Sequence, residues 1–380
     1  MNSVFWMVSI FFLVYAAGNY YIGLRFFQSF HSIMEPYVLL YWSVYIFFAV
    51  SKLVGRIARE RLTCAVNDII IIIGDYWLAA SYYFFLFWLV IDIGRLLSGI
   101  VGIERVLGPT AGLGVLFLTG VLLTYGTWNA RKVRVRHYDV TIPKAAGDLV
   151  KLHAVMVSDV HLGVIVDNSR LEKMVSTINA LQPDIVFFAG DTIDEDVHRF
   201  VKKNMPEVLK KLNARYGVFA VLGNHEYLGS NSQLAIKYLQ QSGITVLKDE
   251  YQLLNQQFYI VGRDDPAAVN INGYPRLDLS AVMQGMDKKL PVILLDHQPI
   301  QLHEAQLNGV DLQLSGHTHR GQFFPNHYIT RRIFEKDWGY LRKDNFQVIV
   351  SCGFGTWGPP IRIGNCPEII DLMIYFENQT

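Results

Sequence analysis

The sequence predicts an α/β domain that follows a four-helix transmembrane region. Three observations support this class. The 380 residues are 51% hydrophobic, and the long apolar runs are concentrated before about residue 130. From about residue 149, apolar runs of strand length alternate with segments of helical spacing. Polar clusters follow several of the predicted strands directly, which is where α/β sheets place their functional sites.

Changes in composition divide the chain into three parts. Residues 1–130 form the transmembrane region, 131–148 a basic juxtamembrane linker, and 149–380 the α/β domain. A net charge of +1 argues against nucleic acid as a partner bound through bulk positive charge. The three cysteines are scattered and form no CxxC pair, which favours a reducing compartment.

Four segments are long enough to cross a bilayer, which takes roughly 20 apolar residues per helix. They are residues 3–27, 36–55, a stretch within 69–97, and 110–128. The first could instead be a signal peptide, but its apolar run exceeds the usual h-region of about 7–15 residues, and no basic residue precedes Arg25. We therefore expect a multi-pass integral membrane protein in contact with the lipid bilayer.

Basic residues predict the orientation of these helices. The loop after the second helix and the segment after the fourth are the richest in arginine and lysine. Such segments favour the cytoplasmic side, and four spans place both on the side of the N-terminus. The C-terminal domain is therefore predicted to be cytoplasmic. Asp75 and Asp92 are the notable acids in the spans, and Asp92 is expected to pair with Arg95 on one helix face.

The elements of the C-terminal domain are predicted in order from apolar periodicity and stop signals. Strands are expected at residues 152–157, 184–189, 217–222, 244–247, 257–261, 291–295 and 310–314, and helices at 170–181, 201–212 and 232–241. Pro183 ends the first helix and Gly243 the third. This alternation predicts helices packed on the faces of sheets.

Five polar clusters follow predicted strands of this domain. They are Ser158-Asp159-Val160-His161, Gly190-Asp191, Gly223-Asn224-His225-Glu226, Asp296-His297 and Gly316-His317-Thr318-His319. Each cluster alone is more often a turn or a helix cap, but five clusters at strand ends predict one shared site. A mixture of carboxylate, amide and imidazole ligands suits Mn, Fe, Co or Zn better than Mg or Ca.

These side-chain types predict a site for two divalent cations, which can bind a phosphate, activate a water and stabilise both reacting oxygens. Asp191 is the best candidate for the carboxylate that bridges them. The other ligand candidates are an Asp-x-His pair, one amide and further imidazoles: Asp159, His161, Asn224, His297, His317 and His319. His225 is left over and is placed to donate a proton to the leaving oxygen.

The motifs D-x-H, G-D, G-N-H-E, H and G-H-x-H together resemble the calcineurin-like metallophosphoesterase superfamily, from about Leu149 to the C-terminus. The resemblance implies a two-sheet αββα sandwich, two divalent metal ions with Mn²⁺ expected first, and His225 as proton donor. It implies two ligand sets: Asp159, His161, Asp191 and His319 for one metal, and Asp191, Asn224, His297 and His317 for the other.

The last cluster is similar to that of a membrane-associated subgroup, which reads G-H-T-H-G-G-Q. Arg320 replaces the first of those glycines and adds a cation at the mouth of the site. The stretch from Cys352 to Ile369 also resembles that subgroup. Some members with N-terminal membrane helices cleave the pyrophosphate of UDP-2,3-diacylglucosamine, which implies a membrane lipid or lipid-linked phosphate as the partner.

The sequence thus predicts a membrane-anchored hydrolase of a phosphodiester or pyrophosphate bond, with Arg263 and Arg320 as candidate substrate-binding residues. Arg263 can equally pair with the adjacent Asp264 and Asp265. One alternative is a phosphatase or phosphodiesterase for soluble substrates, with the helices as an anchor. Another is a membrane transporter or sensor with a regulatory phosphoesterase domain, although few polar residues in the spans are available to line a transport path.

Overall fold

The computed structural model describes residues 2–58, 61–100, 108–194, 196–229, 231–269, 273 and 275–377. The chain divides into two compact units. The first comprises residues 1–127 and 358–361, and the second comprises residues 128–357 and 362–380.

The first unit is built from apolar helices. In chain order they are α1 (Asn2–Ser29), α2 (His31–Met34), α3 (Val38–Ile57), α4 (Cys64–Ile100) and α5 (Pro109–Ala130). Among the described residues, four segments are long and apolar enough to cross a membrane: Ser9–Ser29, His31–Ile57, Cys64–Ile100 and Pro109–Ala130. The prediction of four apolar N-terminal helices is confirmed.

Acidic side chains of these helices are paired with basic ones. Arg95 Nη1 lies 3.3 Å from Asp92 Oδ1, so the predicted pair is confirmed, and Arg25 Nε lies 2.7 Å from the other oxygen of the same carboxylate. The buried Asp75 carboxylate lies 2.6 Å from Lys52 Nζ. Pairing lowers the cost of placing these charges among apolar helices.

The second unit alternates strands and helices. Its strands are β1 (Arg134–Ile142), β2 (Lys151–Val157), β3 (Ile185–Ala189), β4 (Val218–Val221), β5 (Ile244–Val246), β6 (Glu250–Leu254), β7 (Phe258–Gly262), β8 (Val292–Leu295), β9 (Leu312–Ser315), β10 (Gly339–Lys343), β11 (Phe346–Val350) and β12 (Glu368–Phe376). Its helices are α6 (Asn168–Leu181), α7 (Val197–Lys202), α8 (Met205–Leu209), α9 (Asn224–Leu228), α10 (Ser232–Gln241), α11 (Leu279–Val282), α12 (Leu302–Asn308) and α13 (His327–Ile333).

Two sheets of six strands each organise this unit. The first has the order β1-β12-β2-β3-β4-β5, and the second β10-β11-β9-β8-β7-β6. Strands β2 to β5 run parallel to one another, as do β7, β8, β9 and β11. Because parallel neighbours end at the same edge of a sheet, the carboxyl ends of β2, β3 and β4 are brought together, as are those of β8 and β9.

Strand β3 shows how the layers pack. Val186 and Phe188 face the helices on the outer side of the first sheet, where α6 contributes Leu171. Phe187 points the other way, into an apolar layer that includes Leu295 of the second sheet. A third cluster packs α11 and α12 on the outer face of the second sheet. The helix–sheet–sheet–helix sandwich is therefore confirmed, and its central strands are apolar throughout because both faces are covered.

Two predicted segments differ from the structure. The helix predicted over 201–212 is divided between α7 and α8, because Asn204 between them takes a left-handed φ of +58°. The predicted linker 131–148 contains β1, which pairs in parallel with β12 along its whole length. A linker was expected because this stretch is basic and follows the last apolar span, whereas the partner of β1 lies at the far end of the chain. Arg136 of this strand lies 2.7 Å from the buried Glu368 carboxylate and is therefore paired within the domain.

Candidate metal centre

The five polar clusters meet in the loops after five strands. Their side chains follow β2, β3, β4, β8 and β9: Asp159 and His161, Asp191, Asn224 and His225, His297, and His317 and His319. Backbone hydrogen bonds fix the loops to one another, since Asp159 N donates to Gly190 O at 3.0 Å and Gly316 N donates to His297 O at 2.9 Å. The fold thus brings together all the residues that the sequence predicts as ligands.

These loops hold the ligand candidates in an uncommon backbone conformation. The angle φ is +49° at Asp159, +52° at His161, +49° at Asp191, +70° at His317 and +45° at His319. Left-handed conformations at residues other than glycine cost about 1–3 kcal/mol each and cluster at functional sites, where the surrounding structure imposes them. The strain is concentrated where the side chains converge.

One group of ligand atoms comes from Asp159, His161 and His319, which lie within 4.8 Å of one another and are buried. His161 Nε2 lies 3.1 Å from His319 Nε2, and His319 Nε2 lies 3.3 Å from Asp159 Oδ1. Ligand bonds of about 2.0–2.2 Å to one cation place the ligand atoms roughly 3–4 Å apart. The spacing of this group therefore fits a shared divalent cation.

A second group comes from Asp191, His297 and His317, and Asn224 joins it because its Oδ1 lies 2.8 Å from His317 Nδ1. His297 Nδ1 lies 2.8 Å from the Ala189 carbonyl oxygen, to which only a protonated nitrogen can donate. In the neutral ring this bond assigns the lone pair to Nε2, and a neutral imidazole is the form that binds a metal. That atom is buried, makes no hydrogen bond, and lies 3.2 Å from Asp191 Oδ2, as a metal ligand would.

Asp191 connects the two groups. Its Oδ2 lies 3.2 Å from His297 Nε2 and 3.9 Å from His161 Nε2. Burial raises the pKa of the Asp191 carboxyl, but the neighbouring His297 and His225 imidazoles lower it by more, so this pKa lies well below its usual value. An ionised carboxylate is the form that binds metals. Gly223 permits the close approach, because a Cβ there would lie 2.1 Å from Asp191 Oδ1.

His225 lies beside the ligands and is held by an acid. Its Nδ1 lies 3.1 Å from Asp194 Oδ1, and its backbone N–H donates to Asp191 Oδ1 at 2.9 Å. The bond to Asp194 fixes the ring and leaves Nε2 available for proton transfer. The His225 side chain is 12% exposed, whereas that of His297 is fully buried. This exposure fits a group that contacts substrate. The ligand-type atom of His225 also lies within 4.8 Å of those of His161 and Asp191, a distance at which His225 could bind a metal.

Asp194 was not among the predicted site residues. Burial raises the pKa of its carboxyl, but the neighbouring His161 and His225 imidazoles lower it by more, so this pKa lies below its usual value. His225 lies within hydrogen-bond distance of this carboxylate, whereas His161 Nδ1 lies 3.8 Å from it. Its position three residues after Asp191, in the same loop, was a signal in the sequence. Glu226 was noted without a role. It accepts hydrogen bonds from Gly223 N and from Ile193 N, both at 2.8 Å, and so ties the loops after β3 and β4 together.

Two arginines also support the centre. Arg276 had no signal in the sequence, and Arg362 lies in the stretch that resembles the membrane-associated subgroup but was given no role. Arg276 Nη1 donates to both oxygens of Asp296, at 2.9 and 3.1 Å, beside His297. Arg362 is fully buried; its Nη2 lies 3.3 Å from His319 Nδ1 and donates to the Gly355 carbonyl at 2.6 Å. Both arginines hold loops that carry ligands.

The two candidate substrate-binding arginines have different surroundings. Arg263 is only 4% exposed and donates to Glu304 Oε2 and to the Leu277 carbonyl, each at 2.7 Å. Arg263 is therefore paired within the domain. Its acidic partner is Glu304 and not Asp264 or Asp265, so we do not assign Arg263 to substrate binding. Arg320 is partly exposed, follows His319 directly, and lies with its guanidinium carbon 4.0 Å from the centre of the Trp338 ring.

Comparison with known proteins identifies the domain that carries this centre. Residues 152–321 match the family model of the calcineurin-like phosphoesterases. A metallophosphoesterase of Aquifex aeolicus (strain VF5) is 35% identical over 263 residues, which cover 68% of this chain and 98% of that protein. A transmembrane protein with a metallophosphoesterase domain from Danio rerio is 30% identical over 308 residues, which cover 77% of this chain and 70% of that protein.

Among solved structures, an NAD nucleotidase of Haemophilus influenzae aligns with a TM-score of 0.37 at 17% identity, covering 54% of this chain and 46% of that chain. That similarity is too distant to inform the substrate. The match to the Aquifex protein covers most of both chains and establishes the family. The ligand groups that the fold assembles agree with it. The chain belongs to the calcineurin-like phosphoesterases, and it is a metal-binding phosphoesterase with four helices that can anchor it in a membrane.

Proposed function

We propose that the protein is a membrane-anchored dimetal hydrolase of a phosphodiester or pyrophosphate bond in a lipid-linked substrate, such as UDP-2,3-diacylglucosamine. The observation that carries this proposal is the position of Asp191 between two ligand groups, with His225 beside them and outside the buried ligand shell. Two ligand groups joined by one carboxylate suit the hydrolysis of a phosphate ester.

The residues of the chain have distinct tasks in this reaction. When bound, two divalent cations supply the positive charge that polarises a phosphoryl group and activates a water. Asp191 fixes the distance between the two ligand groups. His225 donates a proton from Nε2 to the leaving oxygen, and Asp194 keeps Nδ1 of the same ring protonated and oriented. The P–O bond to the leaving group breaks as the water oxygen bonds to phosphorus.

We propose Mn²⁺ as the first choice of metal, with Fe, Co or Zn as alternatives. The ligand atoms are imidazole nitrogens, carboxylate oxygens and one amide oxygen. Such mixed N/O ligation favours first-row transition metals over Mg²⁺ and Ca²⁺. Metal analysis of the purified protein, after growth with each metal in turn, tests the assignment.

The surface near the centre supports an amphipathic substrate. Phe334 lies with its ring centre 6.0 Å from that of His317, and α13, which directly precedes it, carries exposed apolar side chains. Tyr328, Ile329 and Ile333 of this helix are each more than half exposed. Exposed apolar groups beside a phosphate site fit a ligand with acyl chains as well as phosphate. The apolar N-terminal helices would keep such a protein at the bilayer where that ligand resides.

We further propose that the phosphoesterase domain is cytoplasmic, from the distribution of basic residues between the spans. Protease treatment of sealed inside-out and right-side-out vesicles tests this orientation. Digestion of the domain in inside-out vesicles alone is the expected result. Digestion in right-side-out vesicles alone would reverse the assignment.

Comparison of substrates is the sharpest test of the function. The full-length protein in detergent with Mn²⁺ should turn over UDP-2,3-diacylglucosamine far faster than bis(p-nitrophenyl) phosphate. Equal rates on the two would instead support an enzyme for soluble phosphate esters that uses its helices as an anchor. Hydrolysis of neither would count against a hydrolase and favour a regulatory domain.

A further inference from the structure

A cavity of about 470 Å³ lies beside the metal centre. Basic and aromatic side chains form much of its lining, among them Arg320, Arg331, Lys336, Phe334 and Trp338. Its volume falls in the range of small-ligand sites, about 300–1,000 Å³. The lining carries three cations and two acids, whereas the metal centre is built from carboxylates, imidazoles and one amide.

Two residues of the lining place the cavity next to the metal centre. Arg320 is the residue after the ligand His319. Phe334 packs edge-on against the His317 ring, with ring centres 6.0 Å apart. Thr318, between the two histidines, donates to the Asp337 carbonyl at 2.6 Å and so fixes the lining to the ligand loop. A group attached to a phosphate at the centre would therefore extend towards this cavity.

The cations of the cavity have no acidic partner among the described residues. In the part of the chain that the structure describes, Arg320, Arg331 and Lys336 form no ion pair. The two acids of the lining are otherwise engaged: Glu335 lies 2.7 Å from Lys343 Nζ, and Asp337 accepts a hydrogen bond from Thr330 Oγ1 at 2.7 Å. Three unpaired cations around one cavity favour an anionic ligand.

Arg320 is held in place at a cost. Its φ of +48° and ψ of +41° lie in the left-handed region, which is strained for a residue with a Cβ. Glycine would adopt this conformation without strain. The guanidinium lies over the Trp338 ring, whose Nε1 donates to Glu368 at 3.1 Å. A strained arginine on a fixed aromatic surface fits a binding role.

We propose that this cavity binds a second phosphate of the substrate, so that the enzyme selects a diphosphate over a single phosphodiester. The proposal rests on the function proposed above and narrows it to the P–O–P bond. Water attacks the phosphorus at the centre, the bridging P–O bond breaks, and the adjoining phosphate leaves into the cavity with the proton from His225. The products are two phosphate monoesters, and the cations stabilise the charge that develops on the leaving one.

The test compares two substrates that differ by one phosphate. P¹,P²-bis(p-nitrophenyl) diphosphate and bis(p-nitrophenyl) phosphate are hydrolysed by the Mn²⁺-loaded, full-length protein in detergent. Cleavage of the diphosphate is followed by chromatography of the p-nitrophenyl phosphate formed, and cleavage of the diester by the absorbance of released p-nitrophenolate. We expect Arg320→Gly to lower kcat/KM about 10- to 100-fold for the diphosphate, the effect of losing one charge-assisted hydrogen bond, and to change the diester less than about 3-fold. Arg320→Lys should restore part of the loss.

Matched control variants distinguish a loss of phosphate binding from a loss of folding stability. Arg331→Gln should repeat the selective loss, whereas Arg332→Gln, which removes a cation from the same helix but not from the lining, should have no effect. Arg320→Gly relieves a strained backbone, so an unchanged or raised melting temperature is expected. Equal losses on both substrates, or no loss on the diphosphate, would overturn the proposal.

A binding measurement distinguishes failure of this proposal from failure of the proposed function. Methylenediphosphonate and methylphosphonate are titrated calorimetrically into the Mn²⁺-loaded protein. The cavity predicts tighter binding of the diphosphonate, with the difference reduced about 10-fold or more in Arg320→Gly and retained in Arg332→Gln. If this binding pattern appears in a protein that hydrolyses neither the diphosphate nor the diester, the phosphate-binding role of the cavity is supported and the proposed hydrolase function is refuted. If the variants bind both phosphonates as the wild type does, the cavity has no such role.

Discussion

The acids of the helical unit and the acids of the metal centre are balanced by different groups. In the helical unit, Asp92 lies beside Arg25 and Arg95, and Asp75 lies beside Lys52. In the α/β unit, the carboxylates of Asp159 and Asp191 are surrounded by imidazoles and backbone N–H groups, and among the described residues neither forms an ion pair with lysine or arginine.

The difference indicates which acids serve structure and which serve chemistry. A carboxylate paired with a fixed cation has its charge balanced within the chain and gains little from a metal. A buried carboxylate that has imidazoles and no lysine or arginine as neighbours keeps its lone pairs for an external cation. Aspartate is therefore a structural anchor in the helical unit and a metal ligand at the metal centre.

The largest effect is expected from removing the charge that the two ligand groups share. Asp191→Asn keeps the shape but not the charge, and we expect loss of bound metal and a fall in turnover on the order of 10³-fold, because metals contribute several kcal/mol to such reactions. Metal content by mass spectrometry and hydrolysis of bis(p-nitrophenyl) phosphate measure both. Asp75→Asn, a buried acid of the helical unit, should retain the wild-type metal content. Equal metal loss in both variants would refute the distinction between Asp191 as a metal ligand and Asp75 as a structural acid.

Removing the proposed proton donor should affect turnover without affecting the metals. We expect His225→Ala to lower kcat about 10²–10⁴-fold, the usual contribution of general acid catalysis, with metal content unchanged. His198→Ala, which removes an exposed histidine of α7, is the matched control and should behave as the wild type. Loss of metal from His225→Ala would instead make His225 a ligand, as its distance to His161 and Asp191 permits.

A smaller effect is expected at Asp194, which acts through His225. Asp194→Asn replaces the acceptor for Nδ1 by an amide and should lower kcat about 10- to 100-fold, the cost typical of losing an outer partner of a site histidine. Because the role is one of positioning, the pH–rate profile should also shift, which a loss of stability alone would not produce. Asp196→Asn, two residues further on, alters only the N-terminus of α7 and should leave the profile in place. An unchanged profile in Asp194→Asn would refute the positioning role.

The smallest effect on turnover is expected in the helical unit. Lys52→Met leaves the Asp75 carboxylate buried without its cation, which costs about 3–5 kcal/mol where a buried pair loses one partner, while metal content stays as in the wild type. The double variant Lys52→Met/Asp75→Leu should recover much of that stability. Thermal unfolding in detergent measures the change. A double variant as unstable as the single one would show that the pair itself is not what matters.

Several parts of the fold were predictable because their signals are local. The helix over 232–241 shows apolar residues at helical spacing and a glycine stop, and it forms with those bounds. The strands that carry the clusters are apolar runs, because both their faces are covered. Five strands were not predicted: β1, β6, β10, β11 and β12. Of these, β1 and β12 pair with each other from opposite ends of the domain, and β12 also pairs with β2, so their partners lie far away in the sequence.

The sequence by itself determined the ligand types, their order, and their location at strand ends, because residue chemistry and apolar periodicity are properties of short segments. Only the tertiary structure decided which atoms meet. It joined the two ligand groups at Asp191, bound His225 to Asp194, placed Arg362 against His319 and withdrew Arg263 into an ion pair with Glu304. These contacts depend on two sheets and their loops approaching one another, and such long-range distances are set by packing rather than by neighbours in the chain.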